Sequence, residues 1–227
     1  MYLVTLRIHS GCGLAMAAKV VQSRIISINA YPINDKMNIV LALFKVDKKE
    51  DDVMAIRSLK RDFLKLSNLS LHENNNKKYY VISGVKSGHG VLYPLVKHNA
   101  IPLLPYIALP NAESFIFLHH DKSTIDDIVD EVSHKNKLEY FDYKRISNGN
   151  DIMRIITKNF NEIYLYDLDD YERKVLKIAI NMGYFDWPKR VKIDEIAREL
   201  GVSKPMISYY LRKASRNIFD KMGLRRF

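Results

Sequence analysis

Apolar side chains recur at every second residue in Tyr2, Val4, Leu6 and Ile8, which puts them on one face of a β-strand. Ser10-Gly11-Cys12-Gly13 breaks that run, and LAMAAKVVQS behind it reads as a helix. RIISINAYPI and NIVLALFKV read as strands, and the short side chains of Asn34-Asp35-Lys36 between them suit a hairpin turn. Over residues 50–66, Val53, Ile56, Leu59, Phe63 and Leu66 recur at steps of three and four behind an acidic first turn, which predicts an amphipathic helix. A strand at KYYVISGV closes a β-α-β-β-α-β order. That order predicts a ferredoxin-like sandwich, with helices on one face of an antiparallel sheet.

A second α+β half follows over 88–150, without sequence identity to the first. VLYPLVKHNA reads as a short helix, PLLPYIALP, SFIFLHH and LEYFDYKRI as strands, and STIDDIVDEVSHKN as a helix capped by its Ser or Thr. From 151 the texture turns helical. DIMRIITKNFNEIY is amphipathic and serves as a linker helix over 151–166, leaving 167–227 as a C-terminal domain. There DLDDYERKVLKIAINMGYF opens on acidic residues, turns Val175, Leu176, Ile178, Ala179 and Met182 inward, and stops at Gly183 with Pro188 beyond it.

The next stretch has the grammar of two helices crossing at a tight turn. Ile193, Ile196, Ala197 and Leu200 form an inward face, Gly201 supplies a left-handed corner, and Val202 plugs it. Ser203 stands as a cap, Pro205 falls in the first turn, and Ile207 and Leu211 bury the second helix. Lys204, Pro205, Ser208, Tyr209 and Arg212 are then left facing outward, at the positions from which a recognition helix reaches base edges. Lys189, Arg190, Lys192, Arg198, Ser203, Lys213 and Arg216 surround them as phosphate contacts.

Charge fits that reading. The chain of 227 residues carries a formal net charge of +10, and residues 167–227 hold half of it, with 14 Lys and Arg against 9 Asp and Glu. Such a surface attracts nucleic acid at long range. No apolar run is long enough to span a membrane and the N-terminus lacks a signal-peptide pattern, so a cytoplasmic protein is expected. A single cysteine excludes an internal disulfide and a thiolate zinc cluster.

YERKVLKIAINMGYFDWPKRVKIDEIARELGVSKPMISYYLRKASRNIF resembles the archaeal bacterio-opsin-activator type of helix-turn-helix domain. Tyr184, Phe185, Asp186, Pro188, Arg190, Glu195, Ala197, Leu200, Gly201, Ser203, Ser208, Leu211, Arg212 and Ala214 stand where that pattern puts them, and Tyr210 takes the place of a frequent histidine. The resemblance implies a sequence-specific transcriptional regulator without enzymatic activity in this domain. Double-stranded DNA, a second copy of the chain in a symmetric dimer, and a small-molecule effector at the N-terminal region are the partners expected, with no cofactor and no metal.

Other chemistries are weaker. Cys12 opens a helix with His9 nearby, the beginnings of a thiol site without a third, orienting group. His119-His120-Asp121, with His134 or His89, offers metal-ligand types, but neighbours on a strand face opposite ways. The glycines of SGVKSGHGVLY read as a flexible loop. One alternative of a different class stays open: a small-molecule-binding or enzymatic α+β domain with a C-terminal helical protein-docking module.

Overall fold

The computed structural model describes residues 1–227 except 48–49, 75–76, 89, 167 and 223–227. Two compact units are present, Met1–Phe160 and Asn161–Phe227.

The first unit is α+β. Its elements run β1 (Tyr2–His9), α1 (Gly13–Val20), β2 (Ile25–Pro32), β3 (Met37–Val46), α2 (Asp51–Lys60), β4 (Phe63–Asn74), β5 (Lys77–Ser87), α3 (Leu92–Lys97), β6 (Ile101–Leu109), β7 (Ala112–His119), α4 (Lys122–Lys135), β8 (Leu138–Arg145) and the start of α5 (Gly149–Tyr164). All eight strands join one sheet in the order β4-β5-β3-β2-β6-β7-β1-β8, and each pairing is antiparallel.

The four-stranded ferredoxin-like sandwich expected for the first half therefore does not stand by itself. The chain does contain two β-α-β-β-α-β runs, β1 to β4 and β5 to β8, but each gives its first strand to the other. β5 lies between β4 and β3, where β1 would close the first run, and β1 lies between β7 and β8 in the second. The two halves meet where β2 pairs with β6, Ile26 opposite Ile107, and the strand order reads the same outward in both directions.

Local chemistry explains most boundaries. Asn34 Oδ1 accepts the N–H groups of Lys36 and Met37, both at 2.9 Å, and turns β2 into β3. Pro105 has no N–H for the ladder, and the register of β6 against β7 shifts between Leu103 and Ile107. Asp121 rather than Ser123 or Thr124 caps α4, accepting the Thr124 N–H at 2.8 Å. Those hydroxyl and amide donors, Ser123 foremost, hold its carboxyl well below the usual range.

The helix expected over 50–66 is shorter than its periodicity. It ends at Lys60, leaves Val53 exposed, and buries Ala55 and Leu59, while Phe63 and Leu66 belong to β4. A chance three- and four-residue spacing across the helix–strand junction carried the longer reading.

One main core unites both halves. Val4, Leu6, Ile8, Val40, Phe44, Ile82 and Phe117 of the sheet pack against Leu14, Ala55, Leu59, Leu95, Ile125 and Ile128 of α1 to α4. The opposite face holds a smaller cluster in which Ile152, Ile155 and Ile156 of α5 pack on Leu103, Leu118 and Ile146. The segment read as a linker thus spends its first turns covering the sheet.

Candidate nucleic-acid interface

The second unit is built from three helices whose ends are legible residue by residue. α6 (Asp170–Asn181) starts at Asp169, whose carboxylate takes the Glu172 N–H at 2.7 Å while Glu172 takes the Asp169 N–H at 2.9 Å. It stops at Gly183, whose φ is +78°. A Cβ there would lie 2.8 Å from Cδ of Arg190, which folds back over the turn and holds Asp186 at 2.7 Å. α7 (Ile193–Leu200) is capped by Glu195, which accepts the Lys192 N–H at 2.7 Å.

Gly201 turns the corner at φ 66° and ψ 30°, a left-handed conformation that disfavours any Cβ. Val202 returns its N–H to the Ala197 carbonyl at 3.0 Å. α8 (Lys204–Lys221) then begins, with Pro205 in its first turn; Ser203 occupies the cap position without a side-chain cap bond. Ile196, Ala197, Ile207 and Leu211 close a core with Val175 and Ala179, and Ile193, Leu200 and Val202 border it. Leu176 does not point there: with Leu165, Leu168 and Ile180 it lines an apolar groove of about 370 Å³.

That packing decides what α8 presents. Lys204, Pro205, Tyr209 and Arg212 are exposed and Ser208 half-exposed. Arg212 Nη2 donates to Ser208 Oγ at 2.9 Å, and the Lys204 ammonium sits 3.1 Å from Asp194 of α7. Tyr210 faces the other way and meets the ring of Tyr171 edge-on, centroids 4.6 Å apart. Lys189, Arg190, Lys192, Arg198, Ser203 and Arg216 are exposed. Arg216 lies 3.7 Å from Asp220, and Lys189 stands over the Tyr184 ring at 4.3 Å.

Lys213, among the expected phosphate contacts, is already engaged within the unit. Its ammonium is held by Glu172 at 2.7 Å and Asp169 at 3.3 Å, and Glu172 is almost fully buried. Burial by itself lowers the Lys213 pKa, but these two carboxylates outweigh it and leave the pKa raised. The side chain fastens α8 to the start of α6.

Residues 168–220 match a protein family described as a helix-turn-helix DNA-binding domain. Over 53 residues the chain is 38% identical to a Haloferax volcanii protein provisionally named a transcriptional regulator, a match covering 23% of this chain and 9% of that protein. No solved structure matches. The C-terminal unit is a helix-turn-helix DNA-binding domain of the bacterio-opsin-activator type.

Within this helix-turn-helix domain, sequence reasoning passed over three surface groups. Asp194 holds Lys204, Met206 is exposed among the outward residues of α8, and Trp187 projects from the α6–α7 loop with 96% of its surface free. A large aromatic next to Pro188, Lys189 and Arg190, with no apolar periodicity to claim it, was the available signal for Trp187.

The other candidate chemistries lose their geometry. Cys12 is fully buried, caps α1 by accepting the Ala15 N–H at 3.4 Å, and has its pKa pushed up to about 11, by burial first and by Glu113 second. His9 instead lies 3.2 Å from Glu139. His119 has both ring nitrogens engaged, Nδ1 accepting the Asp121 N–H at 3.0 Å and Nε2 donating to the His98 carbonyl at 3.1 Å. No group of three metal-ligating side chains forms among the described residues, and His89 lies outside them. No helix among the described residues is long and apolar enough to cross a membrane.

Proposed function

We propose that the protein is a sequence-specific transcriptional regulator whose α8 enters the major groove and whose N-terminal unit senses a ligand or joins two copies. One observation carries it: the left-handed corner at Gly201 sets α8 so that Lys204, Pro205, Ser208, Tyr209 and Arg212 share its free face. Arg212 and Lys204 read guanine or hold phosphate, Ser208 accepts several base edges, and Tyr209 meets a phosphate or a thymine methyl. Lys189, Arg190, Lys192, Arg198, Ser203 and Arg216 dock the backbone. Lys204 exchanges Asp194 for DNA, an exposed pair that is cheap to break.

One such helix reads few base pairs, so a symmetric dimer on a two-fold site belongs to the proposal. The half-buried strip of Ile39, Leu41 and Leu43 on β3 with Val81 and Val85 on β5 supports self-association through the sheet.

The test is binding to genomic fragments selected at rising salt, followed by Arg212→Ala and Lys204→Ala on the enriched site. Arg212→Ala is expected to weaken binding by about 1–3 kcal/mol and relax the preference at one base pair, with thermal stability unchanged. Equal affinity of both variants and the parent for the site removes α8 as the reading element.

A further inference from the structure

The larger unit keeps charge where proteins rarely tolerate it. At the meeting of the two halves, β2, β3, β5, β6 and β7 and the helices α1 and α3 line a small, partly open cleft of about 30 Å³. Five of its lining side chains are polar: Ser27, Asn38, Lys86, Tyr106 and Glu113. All five are at least nine-tenths buried, Lys86 being 3% exposed and Glu113 8%. Two opposite charges thus line one cleft, their side chains largely withdrawn from bulk water.

They do not satisfy each other. Among the described residues no carboxylate lies within ion-pair distance of the Lys86 ammonium. Glu113 accepts the Ser10 hydroxyl at 2.9 Å, and the Tyr106 hydroxyl, buried in the same wall, has no partner. A largely buried charge without an ion-pair partner is costly to keep, and so is a buried hydroxyl left unmatched. A fold that retains all three around one space is arranged for a group that answers them together.

We propose that this cleft binds a small zwitterion of the α-amino acid class, its carboxylate on Lys86 and the Tyr106 hydroxyl and its ammonium on Glu113. A simple anion would leave Glu113 unanswered and a simple cation would leave Lys86 so. Asn38 and Ser27 add donors and acceptors, and Leu14, Val40, Val91, Leu92 and Phe115 form an apolar wall for the ligand's side chain. As an effector site, though not as a binding site, the cleft rests on the regulatory reading above.

Calorimetric titration of the full chain without DNA tests it, with glycine, L-alanine, L-leucine and L-glutamate as probes and acetate and methylammonium as single-charge controls. At least one amino acid is expected to bind saturably, and both controls at least tenfold more weakly. Lys86→Met and Glu113→Gln each lower that affinity at least tenfold. Tyr106→Phe, which loses only an unpartnered hydroxyl, melts at or above the parent's temperature and binds several-fold more weakly. The site is overturned if no amino acid binds, if acetate alone binds as well, or if the three variants bind like the parent. Amino-acid binding that leaves DNA affinity unmoved keeps the site and removes its sensing role. DNA binding without amino-acid binding removes the site and leaves the regulator.

Discussion

The helix-turn-helix domain wears its cations outside, whereas the sheet unit keeps a lysine and a glutamate within. Exposed lysines and arginines attract a polyanion over a Debye length and demand little fit, so their action is shared among many groups and screened by salt. Charges enclosed beside α1 and α3 act on one small partner at contact, and shape decides which. The cores differ in the same sense. Some thirty side chains pack together across the sheet, while six buried residues hold the three C-terminal helices.

The largest expected effect follows from that second contrast. Ile207→Ala or Leu211→Ala should cost the small domain about 2–5 kcal/mol, enough to unfold much of it. Calorimetry is expected to show the C-terminal transition falling and DNA binding with it, while the sheet unit melts as before. A single transition carrying both units down would break the comparison.

Lys213→Met comes next, at roughly 1–3 kcal/mol, below the figure for a fully buried pair because the lysine is partly exposed. The raised pKa gives this a pH signature. Stability from the Lys213 contacts is complete below the ordinary lysine value of 10.5 and is lost as pH climbs through the higher folded value. Melts from pH 9 to about 12 should converge for parent and variant at the alkaline end.

Gly183→Ala should cost about 2 kcal/mol and Gly201→Ala about 1 kcal/mol, since both force a Cβ into the left-handed region but only the first also drives it into Arg190 and Asp186. Urea midpoints would rank them; the reverse order would mean that the Arg190 side chain yields freely. Smallest of all, Trp187→Ala should leave stability within about 0.5 kcal/mol. As the chain has one tryptophan, emission of the parent typical of full exposure to water would confirm where it sits.

How much of this was legible beforehand depends on how far apart the cooperating residues lie. The corner from Ala197 to Leu211 is local: a glycine, a proline and two apolar faces within fifteen residues fix it, and the structure repeats it with Ser203 short only of its side-chain bond. The N-terminal strands were also visible one by one, apart from β4, hidden behind the false helical spacing of Phe63 and Leu66. Their order was not visible, because nothing in Tyr2 to Ile8 announces that β7 and β8, more than a hundred residues away, are its neighbours. For the same reason Lys86 and Glu113 looked like ordinary strand residues. The ion pair of Lys213 was invisible for want of its distant partner Glu172.

The exchange of first strands also sets a timetable. β1 is made well before β7 and β8, the strands between which it belongs, and β5 must pass between β4 and β3 before the first run is complete. During synthesis neither run can finish alone, and the sheet closes only once β8 has left the ribosome. Until then the slot beside β7 stays unfilled, and because β1 is tethered to the same chain it holds a large concentration advantage over any competing strand once β7 and β8 are made.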